Sequence, residues 1–107
     1  MSPARARTSF TSWTVGGKPP DWSLIPPHMH VTVRDYVESG ILDDEFFTAV
    51  VSNDLKRSCE TADSVNRNRL FDYCSFLFMY APNECWGSPK KVQEWRMSGG
   101  LAGRRSR

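Results

Sequence analysis

The chain has 107 residues, with 14 basic and 12 acidic residues and a net charge of +2. This length favours a single domain with one modest core. No apolar run reaches the roughly 18 residues of a membrane helix, and the N-terminus lacks the apolar stretch of a secretory signal. The sequence therefore predicts a protein without a membrane span.

The positive charge is concentrated at the two ends. Residues 21–100 contain eight basic and twelve acidic residues, whereas the flanking segments contain six basic residues and no acidic ones. We therefore predict a flexible basic tail over residues 1–20, an acidic helical domain over 21–100 and a second basic tail over 101–107.

The first predicted helix starts at Pro26-Pro27 and ends at Gly40. Its apolar positions, Met29, Val33 and Tyr36 among them, recur at helical spacing. The second predicted helix starts at the N-cap Asp43 and continues through residue 62. Its apolar stripe recurs every four residues at Phe47, Val51, Leu55 and Cys59.

The third predicted helix begins at Asp63 or Ser64 and ends before Pro82. We predict that its core face consists of Leu70, Cys74, Leu77 and Ala81. Tyr73, Phe76 and Tyr80 then make its second half apolar almost all round, which is typical of a central helix or of one that presents a surface to a partner. These three aromatic residues are the predicted partner-binding residues.

A fourth helix is predicted between Ser88-Pro89 and Gly99-Gly100. Together the four segments predict an all-α fold, a small bundle of about four helices whose middle two form an antiparallel hairpin. The loop before the last helix contains Cys85 and Trp86. We interpret Trp86 as a structural clasp, with a ligand pocket formed by Trp86, Trp95 and Tyr36 as the alternative.

Other candidate sites are weaker. The four basic residues Lys56, Arg57, Arg67 and Arg69 could contact phosphate, yet a net-acidic domain disfavours nucleic acid. His28 and His30 stand two residues apart without a third ligand, so we predict no metal and no cofactor. Three cysteines without a CxxC pair disfavour disulfides and zinc, and they favour a reducing, cytoplasmic setting. Cys59 and Cys74 are expected to be buried, and Cys85 is expected to pack in its loop rather than to react.

Several strings in the domain have counterparts in one group of proteins. They are the helix end Tyr36-Val37-Glu38-Ser39-Gly40-Ile41, the segment from Phe47 to Leu55, and the segment from Cys85 to Pro89 ahead of Trp95. In these strings the stretch from His28 to Leu101 resembles small helical proteins encoded by phages and prophages. The resemblance implies an origin in a mobile element and carries no mechanism or functional residue.

The function predicted from these features is a non-enzymatic interaction module that binds a host protein or a second copy of itself. One alternative is a nucleic-acid-binding accessory protein that uses the basic tails and the Lys56, Arg57, Arg67 and Arg69 group. Another is a binder of a small ligand such as a nucleotide.

Overall fold

The structure, a computed structural model, describes residues 13–105. Regular structure in this part of the chain is helical, apart from one isolated β-bridge between Val15 and Lys18. The all-α prediction is therefore confirmed. Short 3-10 helices span Trp22–Leu24, Pro27–Met29 and Asn83–Cys85. The α-helices within residues 13–105 are α1 His30–Ser39, α2 Glu45–Val51, α3 Leu55–Thr61, α4 Ser64–Arg67, α5 Leu70–Tyr80, α6 Pro89–Ser98 and α7 Gly100–Arg105.

The first and the fourth predicted helices correspond to α1 and α6. Gly40 ends α1 with a φ of 72°, in the left-handed region that glycine tolerates best. The side chain of Ser88 starts α6 by accepting a hydrogen bond from the backbone N–H of Lys91, and Gly99 ends the helix with a φ of 79°. Local capping chemistry therefore determines the end of α1 and both ends of α6.

The second predicted helix is two short helices, α2 and α3. Asn53, between them, has a φ of 64°, which interrupts the right-handed helix. The carboxylate of Asp54 then caps α3 by accepting a hydrogen bond from the backbone N–H of Arg57. The predicted continuous stripe is corrected, because this break leaves Leu55 and Cys59 exposed.

The third predicted helix also divides, at the turn formed by Asn68 and Arg69. Asp63 caps α4 by accepting a hydrogen bond from the backbone N–H of Asn66. The second helix, α5, begins at Leu70 and ends at Tyr80. Since both middle segments are interrupted, a four-helix bundle with a central hairpin is not confirmed.

Both predicted tails contain residues that pack against the domain. Trp13 is buried, and its indole N–H donates to the carbonyl of Tyr80 at 2.6 Å. Leu101 packs against the core, and Arg105 pairs with Glu38 at 3.0 Å. Trp13 and α7 therefore pack against the domain, most of residues 14–20 are exposed, and residues 1–12 and 106–107 lie outside the described part of the chain.

The core is dominated by aromatic side chains. The ring of Tyr36 meets that of Phe47 edge to face, with centroids 5.8 Å apart, and Phe46 meets Tyr73 in the same way at 5.1 Å. Such pairs contribute about 0.5–1.5 kcal/mol beyond the area that they bury. Aromatic packing therefore compensates for the shortness of the helices.

α1 and α7 meet at two glycines. A Cβ atom on Gly100 would lie 2.6 Å from the backbone nitrogen of Gly40 and 2.7 Å from that of Ser39. Gly100 also has a left-handed φ of 69°. Glycine at position 100 therefore allows α7 to approach the end of α1.

Candidate interaction surface

The structure places the predicted partner-binding residues mainly in the core. Tyr73 and Phe76 are fully buried, and Tyr80 is partly buried. The phenol O–H of Tyr73 donates to Oδ1 of the buried Asn66 at 2.7 Å. These contacts correct the predicted partner surface, because α5 turns Tyr73, Phe76 and Leu77 inward rather than outward.

The opposite side of α5 is apolar and open to solvent. The side chains of Phe71 and Phe78 are 80% and 81% exposed. They are seven residues apart, so they point in nearly the same direction from the helix. Cys74 is exposed and Ser75 is half-buried between them. We call Phe71, Cys74, Ser75 and Phe78 the α5 outer face.

The apolar surface continues from α5 onto α3. Leu70 and Cys74 line a shallow groove of about 50 Å³ together with Leu55 of α3. Leu55 is 68% exposed, although its sequence position predicted a core residue. Partial desolvation of the Cys74 thiol by its neighbours raises its pKa, although the residue as a whole is exposed. The outer face is therefore part of a patch that two helices form.

The spacing of aromatic residues in the sequence is a signal that could have indicated the α5 outer face. Phe71 and Phe78 have an i, i+7 spacing, which places two aromatic residues on one side of any α-helix. The same spacing relates Tyr73 to Tyr80, so the pattern did not distinguish the inner side from the outer side. In the folded protein the buried hydrogen bond from the Tyr73 hydroxyl to Asn66 identifies the Tyr73 side of α5 as the inner side.

The predicted phosphate-binding group is largely neutralised by neighbouring carboxylates. One of its four members, Arg67, is exposed and forms no ion pair with another described residue. Three members form ion pairs: Lys56 with Glu60 at 2.6 Å, Arg57 with Glu45 at 3.3 Å, and Arg69 with Asp72 at 2.6 Å.

Arg69 also has a structural role. One of its guanidinium nitrogens donates to the backbone carbonyls of Ser23 at 2.9 Å and Leu24 at 3.1 Å. These bonds hold the Trp22–Leu24 turn against the start of α5. Arg69 therefore connects two parts of the fold and is not available as a free phosphate ligand.

The predicted stacking residues do not form an open pocket. Tyr36 and Trp95 are buried, and the indole N–H of Trp95 donates to the carbonyl of Tyr36 at 2.9 Å. The hydroxyl of Tyr36 donates to the carbonyl of Cys85 at 2.6 Å, and burial raises the pKa of Tyr36. Trp86 is half-buried and packs against the core. This placement corrects the aromatic pocket and agrees with Trp86 as a clasp.

A larger cavity lies elsewhere, between the loop that follows α1 and the outer side of α6. It has a volume of about 620 Å³. Ile41 and Met97 provide apolar lining, and Asp43, Gln93 and Arg96 provide polar groups. This size and mixed lining are typical of small-ligand sites, although Ile41 and Met97 are largely exposed.

The histidines and the loop cysteine have structural partners. Nε2 of His30 lies 2.7 Å from the carbonyl of Ile25 and 3.0 Å from that of Trp22, so its N–H donates to them. Nε2 of His28 lies 3.0 Å from Asp63. Cys85 is buried, and burial raises the pKa of its thiol to about 12, which keeps the thiol protonated.

A search of residues 13–105 finds no cluster of three or more His, Cys, Asp or Glu side chains that could hold a metal ion. Within the same residues, no helix has the length and apolarity to cross a membrane. Comparison of the chain with protein-family models, curated proteins and solved structures finds no match.

Proposed function

We propose that this protein is a small, non-enzymatic interaction module that binds a protein partner through the α5 outer face. The observation that supports the proposal is the exposure of Phe71 and Phe78 on one side of one helix. Burying a phenylalanine side chain is worth about 1.5–3 kcal/mol. Two such residues on one stripe are typical of a docking site.

The proposal also includes the origin of the protein and its location in the cell. The resemblance to phage and prophage proteins supports an accessory protein of a mobile element that acts on a host protein or on itself. Three free cysteines support a cytoplasmic location, since two of them, Cys59 and Cys74, are exposed and would oxidise readily in an oxidising compartment.

The experiment compares capture by the wild-type protein with capture by the double variant Phe71→Ser/Phe78→Ser. Both side chains are exposed, so the variant should keep the wild-type circular dichroism spectrum and melting temperature. Any captured protein is then purified, and its affinity for each variant is measured by calorimetry. We expect the double variant to lose binding.

The matched control is Met97→Ser on α6, because Met97 is 78% exposed on a different surface. We expect this variant to bind like the wild type. The proposal is wrong if no protein, including a second copy of the chain, binds in a manner that depends on Phe71 and Phe78.

A second candidate function is binding of a small ligand in the cavity beside α6. Its volume of about 620 Å³ and the presence of Arg96, Asp43 and Gln93 among apolar residues support a ligand with both polar and apolar groups. Native mass spectrometry of the purified protein tests this candidate. A bound small molecule that is lost in Arg96→Ala would support it, and an unliganded mass would oppose it.

Nucleic-acid binding through the Lys56, Arg57, Arg67 and Arg69 group has less support, because carboxylates pair with all of these residues except Arg67. A gel-shift series at increasing salt tests it. Binding at low salt that weakens steeply as salt rises would favour this alternative.

A further inference from the structure

The α5 outer face has the same order of residues in both directions. Two positions separate Phe71 from the adjacent pair Cys74 and Ser75, and two positions separate that pair from Phe78. The order is therefore large, small, small, large. An isologous contact brings the same patch of two copies together, and in an antiparallel pair this order places a phenylalanine of one copy beside a phenylalanine of the other at each end of the contact.

We infer that the partner of the α5 outer face is a second copy of this chain, bound with the two α5 helices antiparallel. The inference rests on the proposed function and specifies its partner. The two-fold axis passes between Cys74 and Ser75, so Phe71 of one copy packs beside Phe78 of the other. The small side chains at the crossing point let the two helices approach closely.

The charges at the two ends of α5 support the antiparallel direction. Arg67 precedes the helix and Glu84 follows it, and both are exposed. Neither forms an ion pair with another described residue. In an antiparallel pair Arg67 of each copy lies towards Glu84 of the other, whereas a parallel pair would bring like charges together.

The available area indicates a weak dimer. An aromatic side chain buries about 150–250 Å² when it is fully covered. The four exposed phenylalanines of two copies therefore supply roughly 600 Å², or about half of the 1,200 Å² at the lower limit for specific interfaces. Cys74, Met79 and Leu55 add to this area. We expect dissociation in the micromolar range or above.

Sedimentation equilibrium of the purified full chain, from micromolar to near-millimolar concentration, tests the inference. We expect a monomer–dimer equilibrium that Phe71→Ser/Phe78→Ser weakens about tenfold or more and that Met97→Ser leaves unchanged. A monomer at every concentration overturns the inference, as does a dimer that the double variant does not weaken. Since a monomeric chain could still bind a different protein through α5, a monomer does not refute the proposed function.

A charge exchange tests the direction of the helices. Arg67→Glu and Glu84→Arg should each weaken the dimer by placing like charges together, and the combination Arg67→Glu/Glu84→Arg should restore it. A combined variant as weak as the single ones overturns the antiparallel arrangement.

Thiol cross-linking in a Cys59→Ser background provides a second, independent test of how the two α5 helices are arranged in the dimer. A short bismaleimide should join Cys74 of one copy to Cys74 of the other, because both lie beside the axis. Peptide mapping that finds no such link in the dimer overturns the arrangement.

Discussion

Tyr36 connects three segments of the chain through its polar atoms. Its hydroxyl donates to the carbonyl of Cys85, and its backbone carbonyl accepts the indole N–H of Trp95. All three residues are buried. An unsatisfied polar group in such a position costs about 1–3 kcal/mol, so these bonds make the core specific as well as stable.

Tyr36→Phe should lower the free energy of unfolding by about 1–3 kcal/mol, because it leaves the carbonyl of Cys85 without its donor. Urea denaturation followed by fluorescence measures the change. The matched control is Tyr80→Phe, since Tyr80 is only partly buried and its hydroxyl forms no hydrogen bond with another residue of the described range 13–105. An equal loss in both variants would contradict the prediction.

Asp63 should make the protein sensitive to acid. The backbone N–H of Asn66, and secondarily His28, stabilise the carboxylate and lower its pKa from the usual 3.8. A lowered folded-state pKa contributes stability above the unfolded pKa, and this stability is lost as the pH falls through the folded pKa. Asp63→Asn keeps a capping oxygen without the charge.

We therefore expect the unfolding free energy of Asp63→Asn to vary less between neutral and strongly acidic pH than that of the wild type. Urea denaturation across this pH series measures the difference. Parallel pH dependences of the two proteins would refute the assignment.

At the scale of elements, local signals predicted the ends of helices better than their faces. Gly40 and Ser88 mark boundaries through their own backbone and side-chain chemistry, which neighbours in sequence suffice to establish. The break at Asn53 also has local signals, since asparagine tolerates the left-handed region and Asp54 caps the next helix. The rotation of α5, in contrast, depends on tertiary contacts. A helix that is apolar on all sides carries no periodic signal for its inner face, so Phe71 and Phe78 could not be separated from Tyr73.

Gly100→Ala should separate α7 from α1. The new Cβ would meet backbone atoms of Gly40 and Ser39 below 3 Å, and the left-handed φ of 69° would add strain. Left-handed strain alone costs about 1–3 kcal/mol.

The control for this variant is Gly16→Ala, which has a similar φ of 61° but no atoms within 4 Å of its Cβ. We expect thermal denaturation to show a clearly larger loss of stability for Gly100→Ala. Equal losses would indicate that backbone strain, and not the close approach of α7, determines the effect.

For the whole molecule, the periodicity and caps of the four predicted helices predicted the all-α class, while Trp13 and α7 were assigned to tails although they pack against the domain. Trp13 and α7 belong to the packed structure, although Gly, Ser and Arg in their neighbourhood are typical of tails. A tail-like composition describes an average tendency of a segment, and one tryptophan or leucine side chain that reaches the core can hold such a segment in place. Within α7, Arg104 also contacts the core, since its guanidinium lies 4.5 Å from the centre of the Trp95 ring.

Truncation after Gly99 should destabilise the protein by about 2 kcal/mol or more, because it removes the packed Leu101, uncovers the ring of Trp95 and removes the partner of Glu38. Equal melting temperatures of the truncated and the full chain would contradict the packing of α7.

The contacts between the two ends also determine when the protein can fold during its synthesis. Trp13 bonds to Tyr80, 67 positions later, and Glu38 pairs with Arg105 at the same separation. The early helices therefore leave the ribosome before the residues that cover them. Until residue 105 has emerged, the contacts of α7 with α1 cannot form, so the nascent chain cannot complete its packed structure.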